Sequence, residues 1–155
     1  MSKGVSVLLV EDEAAQRKLI AEILAREEHE VREAGTVDEA LDEISQAVPD
    51  LILCDWRMPG GNGGELLDEV RARALGCAFI VMTAYGSISH AVDAIRRGAD
   101  DYLGKPFERD ALLLAVRRVL RTRRLERENR ELREVLREGD GFGELIGRSE
   151  VMRAL

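Results

Sequence analysis

The chain has 155 residues, of which 45% are hydrophobic and 34% are charged, and its formal net charge is −7. This length allows one well-buried domain with some chain left over, and the composition excludes a disordered chain. The acidic balance argues against binding of nucleic acid, because a phosphate backbone requires a cationic surface. No apolar run approaches the roughly 20 residues that cross a bilayer, so we expect no association with a membrane.

The cysteines Cys54 and Cys77 lie in or beside apolar runs and do not form a C-x-x-C pair. We therefore expect buried thiols rather than a disulfide or a zinc site. Reduced thiols of this kind indicate a cytoplasmic protein.

The first third of the chain predicts two strand–helix units. Residues 5–10 are apolar and rich in valine, as in a central strand, and residues 14–26 follow with apolar positions on one helical stripe. Residues 30–33 form a shorter, more polar strand, which we expect near a sheet edge. Thr36 and Glu39 then match a capping box at the start of a second helix. The stripe of the first helix comprises Leu19, Ile20, Ile23 and Leu24.

The middle of the chain contains two fully apolar runs, at residues 51–54 and 78–82, and each is typical of a strand that is buried on both faces. The other elements predicted beyond residue 59 are a glycine-dense loop, a helix, a helix ended by Gly98 and a short strand, at residues 60–64, 65–74, 88–97 and 102–103. The alternation of strands and helices predicts an α/β domain with a doubly wound, five-stranded parallel sheet.

A long helix is predicted to begin near residue 109 and to end at Gly139. Its first part carries an apolar face for the sheet, and its second part carries residues at the 4-3-4 spacing of a coiled-coil seam. These seam residues are Leu125, Asn129, Leu132 and Leu136. We expect a parallel homodimer through this seam, with Asn129 setting its register. The interleaved arginine and glutamate residues fit the solvated flank of a coiled coil better than a nucleic-acid surface.

Polar side chains follow several of the predicted strands at the point where each strand ends. Asp12 follows the first strand and Asp55 the third, while Thr83 and Lys105 follow the fourth and fifth. Because the carboxyl ends of parallel strands meet at one edge of a sheet, we expect these groups to converge. Glu11, Asp12 and Asp55 would repel one another unless a cation lay among them. Mg²⁺ is the ion that such hard oxygen ligands favour.

Asp55 is the candidate nucleophile for a phosphoryl group, because a carboxylate at the end of a buried strand is costly unless its charge is used. Lys105 would supply a fixed positive charge, and Thr83 a hydroxyl that binds a phosphoryl oxygen. Taken singly, these residues are more easily explained as caps, turn residues or a surface lysine. Their joint placement at successive strand ends favours a site.

Four motifs lie at these strand ends. They are Val-Leu-Leu-Val-Glu-Asp-Glu at residues 7–13, Asp55-x-x-Met-Pro-Gly, Met82-Thr-Ala, and Asp-Tyr-Leu-Gly-Lys-Pro-Phe at residues 101–107. Together they resemble the receiver domain of bacterial two-component response regulators over residues 5–120. The resemblance implies a CheY-like (flavodoxin-like) fold and a regulatory phosphoacceptor rather than an enzyme, whose own chemistry is limited to self-phosphorylation from small phosphodonors and autodephosphorylation.

The resemblance also assigns roles to the site residues. It implies that a sensor histidine kinase phosphorylates Asp55, that Thr83 and Tyr102 respond as switch residues, and that the bond between Lys105 and Pro106 is cis. The implied Mg²⁺ ligands are Asp12, Asp55, the backbone carbonyl of Arg57 and, through a water molecule, Glu11.

Residues 142–155 resemble the opening of the AAA+ ATPase domain of sigma-54-dependent transcription activators, although the chain contains no complete nucleotide site. We therefore expect residues 1–122 to form the receiver domain, 123–140 a coiled-coil linker helix, and 141–155 the truncated beginning of an AAA+ domain. Phosphorylation would then control dimerisation and the activity of that ATPase.

Two alternative functions remain open at this point. A stand-alone phosphorelay receiver without an output domain would share the same site. A phosphohydrolase that forms an aspartyl phosphate is less favoured, because such enzymes usually need a second acid two residues after the nucleophile, where this chain has Arg57.

Overall fold

The computed structural model describes residues 4–58, 61–84 and 88–147, with side chains through residue 136. The chain divides into two compact units, Met1–Leu120 and Arg121–Leu155. The first unit holds the sheet and the polar strand ends, and the second holds the remainder of the last helix.

The first unit is built on a five-stranded parallel sheet in the order β2-β1-β3-β6-β7. In chain order these strands are β1 Ser6–Val10, β2 Glu30–Ala34, β3 Leu51–Asp55, β6 Ala78–Ala84 and β7 Asp101–Lys105. A separate antiparallel pair is formed by β4 (Arg57–Met58) and β5 (Gly61–Asn62). The polar strand β2 lies at one edge, as predicted, the apolar β3 lies at the centre, and the doubly wound parallel fold is confirmed.

Helices cover both faces of this sheet. Their bounds are α1 Ala14–Arg26, α2 Val37–Gln46, α3 Gly63–Ala72, α4 Ile88–Arg96 and α5 Arg109–Gly147. One buried cluster joins the sheet to α2, α3 and α4, and a second joins it to α1 and the first turns of α5. Strand β3 contributes alternate residues to the two clusters, which explains why its apolar run is continuous.

Two predicted details of α1 and α2 can be compared with the structure. Leu19 is wrongly placed on the buried stripe of α1: its side chain is exposed, and the apolar residues buried on α1 are Ile20, Ala21 and Leu24. The capping box of α2 is present, because Thr36 Oγ1 accepts a hydrogen bond from the backbone N–H of Glu39.

The glycine-dense segment is wrong as a simple loop, because α3 begins at Gly63 rather than at Glu65. Asn62 caps this helix by accepting a hydrogen bond from the backbone N–H of Glu65 at 3.0 Å. A Cβ atom at Gly63 would lie only 2.6 Å from the carbonyl oxygen of Asp55. Glycine therefore lets the first turn of α3 approach the end of β3, which a side-chain pattern cannot reveal.

The predicted end of the last helix at Gly139 is also wrong, since α5 continues to Gly147. A glycine inside a helix is unfavourable by only about 1 kcal/mol relative to alanine, so isolated glycines need not end a helix. Among the residues described, no helix combines the length and the apolar character needed to cross a membrane.

Candidate functional site

The carboxyl ends of β1, β3, β6 and β7 lie at one edge of the sheet and carry the predicted polar residues. Glu11 and Asp12 follow β1, Asp55 is the last residue of β3, and Lys105 is the last residue of β7. Asp55 is in register with Met82 of β6, and the next residue of β6 is Thr83. The parallel register therefore brings together groups from four different strands.

A lysine joins two of the carboxylates at this edge. Lys105 Nζ donates to Glu11 Oε1 at 2.8 Å and to Asp55 Oδ2 at 3.0 Å. The Glu11 side chain is only 1% exposed, whereas those of Asp55 and Lys105 are 12% and 22% exposed. The ammonium group thus lies between a fully buried and a nearly buried carboxylate.

The electrostatic balance differs between these partners. Burial raises the pKa of Glu11 above its usual value, and the nearby charge of Asp55 raises it further, although hydrogen bonds from Lys105 and the Glu13 backbone oppose the shift. Burial is the largest single effect on Lys105 and by itself would lower its pKa, but the hydrogen bonds to Glu11 and Asp55 and the charges of these two carboxylates together raise it. These two pKa shifts indicate that Lys105 stays charged and that the carboxylates at this edge still lack positive charge.

Three carboxylates at this edge can hold a metal ion. Glu11, Asp12 and Asp55 each offer one oxygen, and these oxygens lie within 4.8 Å of one another. Glu11 is buried, Asp12 is exposed and Asp55 is nearly buried, so the group opens toward solvent on one side. An all-oxygen set of this kind fits a hard divalent cation such as Mg²⁺, and the unbalanced negative charge favours its binding.

The remaining predicted site residues surround this group. Thr83 is buried, 3% exposed, one residue beyond the partner of Asp55 on β6. The backbone N–H of Arg57 donates to Asp55 Oδ1 at 3.3 Å. Tyr102 lies on β7 with 48% of its surface exposed, and the bond between Lys105 and Pro106 is cis, as the sequence resemblance implies.

The sequence predicted neither the burial of Glu11 nor its partner: its side chain is the most buried carboxylate of the group and contacts Lys105 directly. The backbone N–H of Glu13 donates to the second oxygen of Glu11 at 3.1 Å, and Arg17 Nη1 donates to the Glu11 carbonyl at 2.7 Å. Glu11 is therefore fixed at both its carboxylate and its backbone. The apolar run before it was the one available signal that it would be buried.

Sequence reasoning also missed the surroundings of Trp56, which follows Asp55 and is 6% exposed. The Arg97 guanidinium lies 5.3 Å from the centre of the Trp56 ring, and the His90 ring lies 6.4 Å from it. These partners come from the region of α4, so spacing along the sequence offered no signal.

The second unit carries the predicted coiled-coil seam on α5. Leu125, Leu132 and Leu136 are 54%, 58% and 60% exposed, and Asn129 is exposed as well. Val135, which the spacing did not select, is 63% exposed and flanks the same stripe. This stripe of exposed leucines is what a seam without its partner helix would show.

The chain matches the family model of the response regulator receiver domain over residues 7–117. It is 37% identical over 151 residues to the nitrogen assimilation regulatory protein NtrX of Azorhizobium caulinodans, covering 96% of this chain and 32% of that protein. It is 40% identical over 153 residues to the C4-dicarboxylate transport transcriptional regulatory protein DctD of Pseudomonas aeruginosa, again covering 96% of this chain and 32% of that protein.

Among solved structures, the receiver domain of NtrX from Brucella abortus matches with a TM-score of 0.72 and 40% sequence identity, covering 75% of this chain and 98% of that one. The chain spans about a third of the length of the curated relatives named above. The family model and this structural match agree with the fold and with the motifs at the strand ends. The chain therefore belongs to the response regulator receiver domain family.

Proposed function

We propose that Asp55 accepts a phosphoryl group from the phosphohistidine of a sensor histidine kinase, and that this event regulates the rest of the protein. An Asp55 oxygen attacks phosphorus, the bond between phosphorus and the histidine nitrogen breaks, and the imidazole leaves. The observation that carries the proposal is the contact of Asp55 with Lys105 at 3.0 Å inside a group of carboxylates that can hold a cation. A cytoplasmic location follows from this role.

Charge compensation explains why this edge of the sheet suits phosphoryl transfer. Asp12 and Asp55 would hold Mg²⁺ together with the Arg57 carbonyl, and Glu11 would contribute through a water molecule. The ion when bound would neutralise the incoming phosphoryl oxygens. Lys105 already lies beside Asp55 and supplies a second positive charge that needs little rearrangement.

The response to phosphorylation would begin with Thr83 and Tyr102. A phosphoryl group adds about −1.5 to −2 charges and three acceptor oxygens, which attract hydroxyl donors. The Thr83 hydroxyl is buried on the strand beside Asp55, so a small movement would bring it to these oxygens. The half-exposed ring of Tyr102 on the neighbouring strand could then occupy the space that Thr83 leaves.

The decisive test is phosphorylation by acetyl phosphate in the presence of Mg²⁺. We expect the wild-type chain to gain one acid-stable, base-labile phosphoryl group and Asp55→Asn to gain none. Asp42→Asn is the matched control, because Asp42 is an exposed carboxylate on α2. Equal labelling of the Asp55 variant and the wild type would overturn the assignment.

The second unit would join two copies of the chain through the seam on α5. With Asn129 and Leu136 at a positions of the heptad and Leu125 and Leu132 at d, the g and e positions face across a parallel dimer. The charged residues at those positions are Arg121, Glu126, Glu128 and Arg133.

The charges at these positions favour two identical, parallel helices. Arg121 of one copy would meet Glu126 of the other, and Glu128 would meet Arg133, so each such pair has opposite charges. Glu128 already lies 4.0 Å from Arg124 of its own helix, but both side chains are exposed and such a pair is weak. An antiparallel pair would instead place Asn129 against leucine, which leaves its amide without a partner.

We propose that residues 1–122 act as the receiver, that residues 123–140 act as the dimeric linker, and that residues 141–155 begin an AAA+ ATPase of the sigma-54-dependent activator type. The support is that NtrX and DctD, two regulatory proteins, match almost all of this chain with about a third of their own length.

A further inference from the structure

The side chain of Trp56 connects the phosphoacceptor strand to α4. Trp56 follows Asp55 directly, and its indole is buried beneath two side chains, those of Arg97 and His90. The Arg97 guanidinium lies 5.3 Å from the centre of the ring, and the His90 ring is tilted by 33° at 6.4 Å. A cation over an indole face is a favourable electrostatic contact.

Arg97 is held in this position by two carboxylates. Its Nε and Nη2 atoms donate to the two oxygens of Asp68 on α3 at 3.1 and 2.6 Å, and its Nη1 atom donates to Asp93 on α4 at 3.1 Å. A bidentate contact between a guanidinium and a carboxylate fixes the orientation of the guanidinium as well as its distance. The hydrogen bond with Arg97 correspondingly lowers the pKa of Asp68.

The backbone of Trp56 is held by hydrogen bonds to β6 and to the first turn of α3. The backbone N–H of Trp56 donates to the Met82 carbonyl at 2.8 Å, and that of Gly63 donates to the Trp56 carbonyl at 2.8 Å. A Cβ atom at Gly64 would lie 2.6 Å from Arg97 Nη1. The first turn of α3 and the Arg97 guanidinium therefore both pack close to Trp56. A side chain at Gly64 would keep the guanidinium away from α3.

His90 does not replace Arg97 in this arrangement. Its Nδ1 atom is buried and has no hydrogen-bond partner among the described residues. The ring thus packs against Trp56 without fixing its direction. Of the two side chains over the indole, only Arg97 is held by ion pairs, one of which reaches α3.

We propose that Arg97 and Asp68 form a clamp that positions Trp56, and that Trp56 in turn positions the backbone of Asp55 and Arg57 for cation binding and phosphoryl transfer. Arg97 is a positioning residue: it contacts none of the carboxylates that would bind the ion, and acts through the indole. The proposal rests on the function assigned above, and it adds that the packing between α3 and α4 sets the properties of the site.

Stability alone is a poor explanation for this arrangement. The side chains of Arg97 and Asp68 are 31% and 56% exposed, and ion pairs with such exposure contribute little to folding. Solvent exposure weakens the energy of this ion pair more than it weakens the orientation that the pair imposes, because the bidentate contact fixes the plane of the guanidinium against the indole. Coupling is also reciprocal, so binding of an ion beside Asp55 should tighten the contact between Trp56 and Arg97.

The experiment compares Arg97→Ala and Asp68→Asn with Arg73→Ala. Arg73 follows the last residue of α3, and its ion pair at 2.8 Å is with Glu69 of that same helix. Mg²⁺ affinity is measured by calorimetry, and quenching of Trp56 emission by acrylamide is measured without metal. Since Trp56 is the sole tryptophan of the chain, its emission reports this position alone. We expect both clamp variants to bind Mg²⁺ about fivefold more weakly and to be quenched more readily, with Arg73→Ala unchanged.

Unchanged Mg²⁺ affinity and quenching in folded Arg97→Ala would overturn the proposal. Should that variant fail to fold, Asp68→Asn decides, because it keeps Arg97 and alters only one exposed carboxylate. The test of the clamp does not depend on phosphorylation. Absence of a phosphoryl group on wild-type Asp55 would contradict the proposed function, whereas the affinity and quenching measurements would still test the clamp.

Discussion

Replacement of Lys105 by methionine tests the electrostatics of the site, because it removes the ammonium group and keeps most of the side-chain length. Lys105 Nζ lies 2.8 Å from Glu11 and 3.0 Å from Asp55. At an effective dielectric constant of about 20, each contact corresponds to about 6 kcal/mol of attraction before desolvation is counted. Without the ammonium, Glu11 and Asp55 are left with their mutual repulsion.

The net effect is smaller than the sum of these attractions, because burial of the charges opposes them. Hydrogen bonds between charged groups contribute about 1.5–3 kcal/mol each, and Lys105 is partly solvated at 22% exposure. We expect Lys105→Met to lower the free energy of unfolding by about 3 kcal/mol at pH 8, which is a large part of the stability of a small domain. Lys18→Met is the control, since Lys18 is an exposed lysine on α1.

The loss of stability in Lys105→Met should depend on pH. The pKa of Glu11 is already raised in the folded chain, so its contribution to stability is complete at low pH and is lost as the pH rises through that pKa. Removal of Lys105 raises the pKa of Glu11 further and enlarges this loss. The destabilisation should therefore be larger at pH 8 than at pH 5, because a lower pH favours the protonated form of Glu11.

Urea unfolding at pH 8 and pH 5, with and without Mg²⁺, measures both effects. Added Mg²⁺ should restore much of the stability of Lys105→Met, because an ion that binds only the folded chain at about 100 times its Kd contributes about 2.7 kcal/mol. A variant as stable as the wild type at pH 8, or a loss that does not change with pH, would show that Lys105 does not stabilise the acidic group.

Two further predictions concern His29 and the seam. Burial lowers the pKa of His29, whose Nδ1 accepts a hydrogen bond from the Val5 backbone, so stability should fall as the pH drops below about 6.5. His29→Gln should remove up to about 1.4 kcal/mol per pH unit of this decline in urea titrations, and identical pH profiles would contradict the assignment. In sedimentation experiments, Glu126→Arg should weaken the dimer about tenfold by placing two arginines together, and the exchange Arg121→Glu with Glu126→Arg should restore it. Failure of the exchange to restore association would count against the parallel seam.

Much of the fold was predictable because periodicity and apolar content report burial directly. The run at residues 51–54 predicted a strand covered on both faces, and all four residues are fully buried at the centre of the sheet. The group at the strand ends was predictable for a topological reason, since parallel strands place their carboxyl ends together. Asp55 and Lys105 are 50 residues apart in sequence and nevertheless form a hydrogen bond.

The sequence could not predict contacts between elements that are distant along the chain and that no repeating residue pattern links. Asp68 lies on α3 and Arg97 directly after the end of α4, 29 residues further along the chain, and each taken alone is an ordinary surface charge. The start of α3 was missed because Gly63 has no side chain to form a pattern, and its role is the close approach to Asp55. Leu19 was misplaced because one helical stripe fits several rotations of α1, and packing selects among them.

We propose that Asp55, and no neighbouring carboxylate, carries the phosphoryl group. Treatment of the acetyl phosphate-labelled chain with borohydride reduces an acyl phosphate to an alcohol, and peptide mass spectrometry then locates the altered residue. We predict homoserine at position 55 in the presence of Mg²⁺ and its loss when the metal is chelated before labelling. Reduction at Glu11 or Asp12 instead, or labelling that persists in full without metal, would contradict the account.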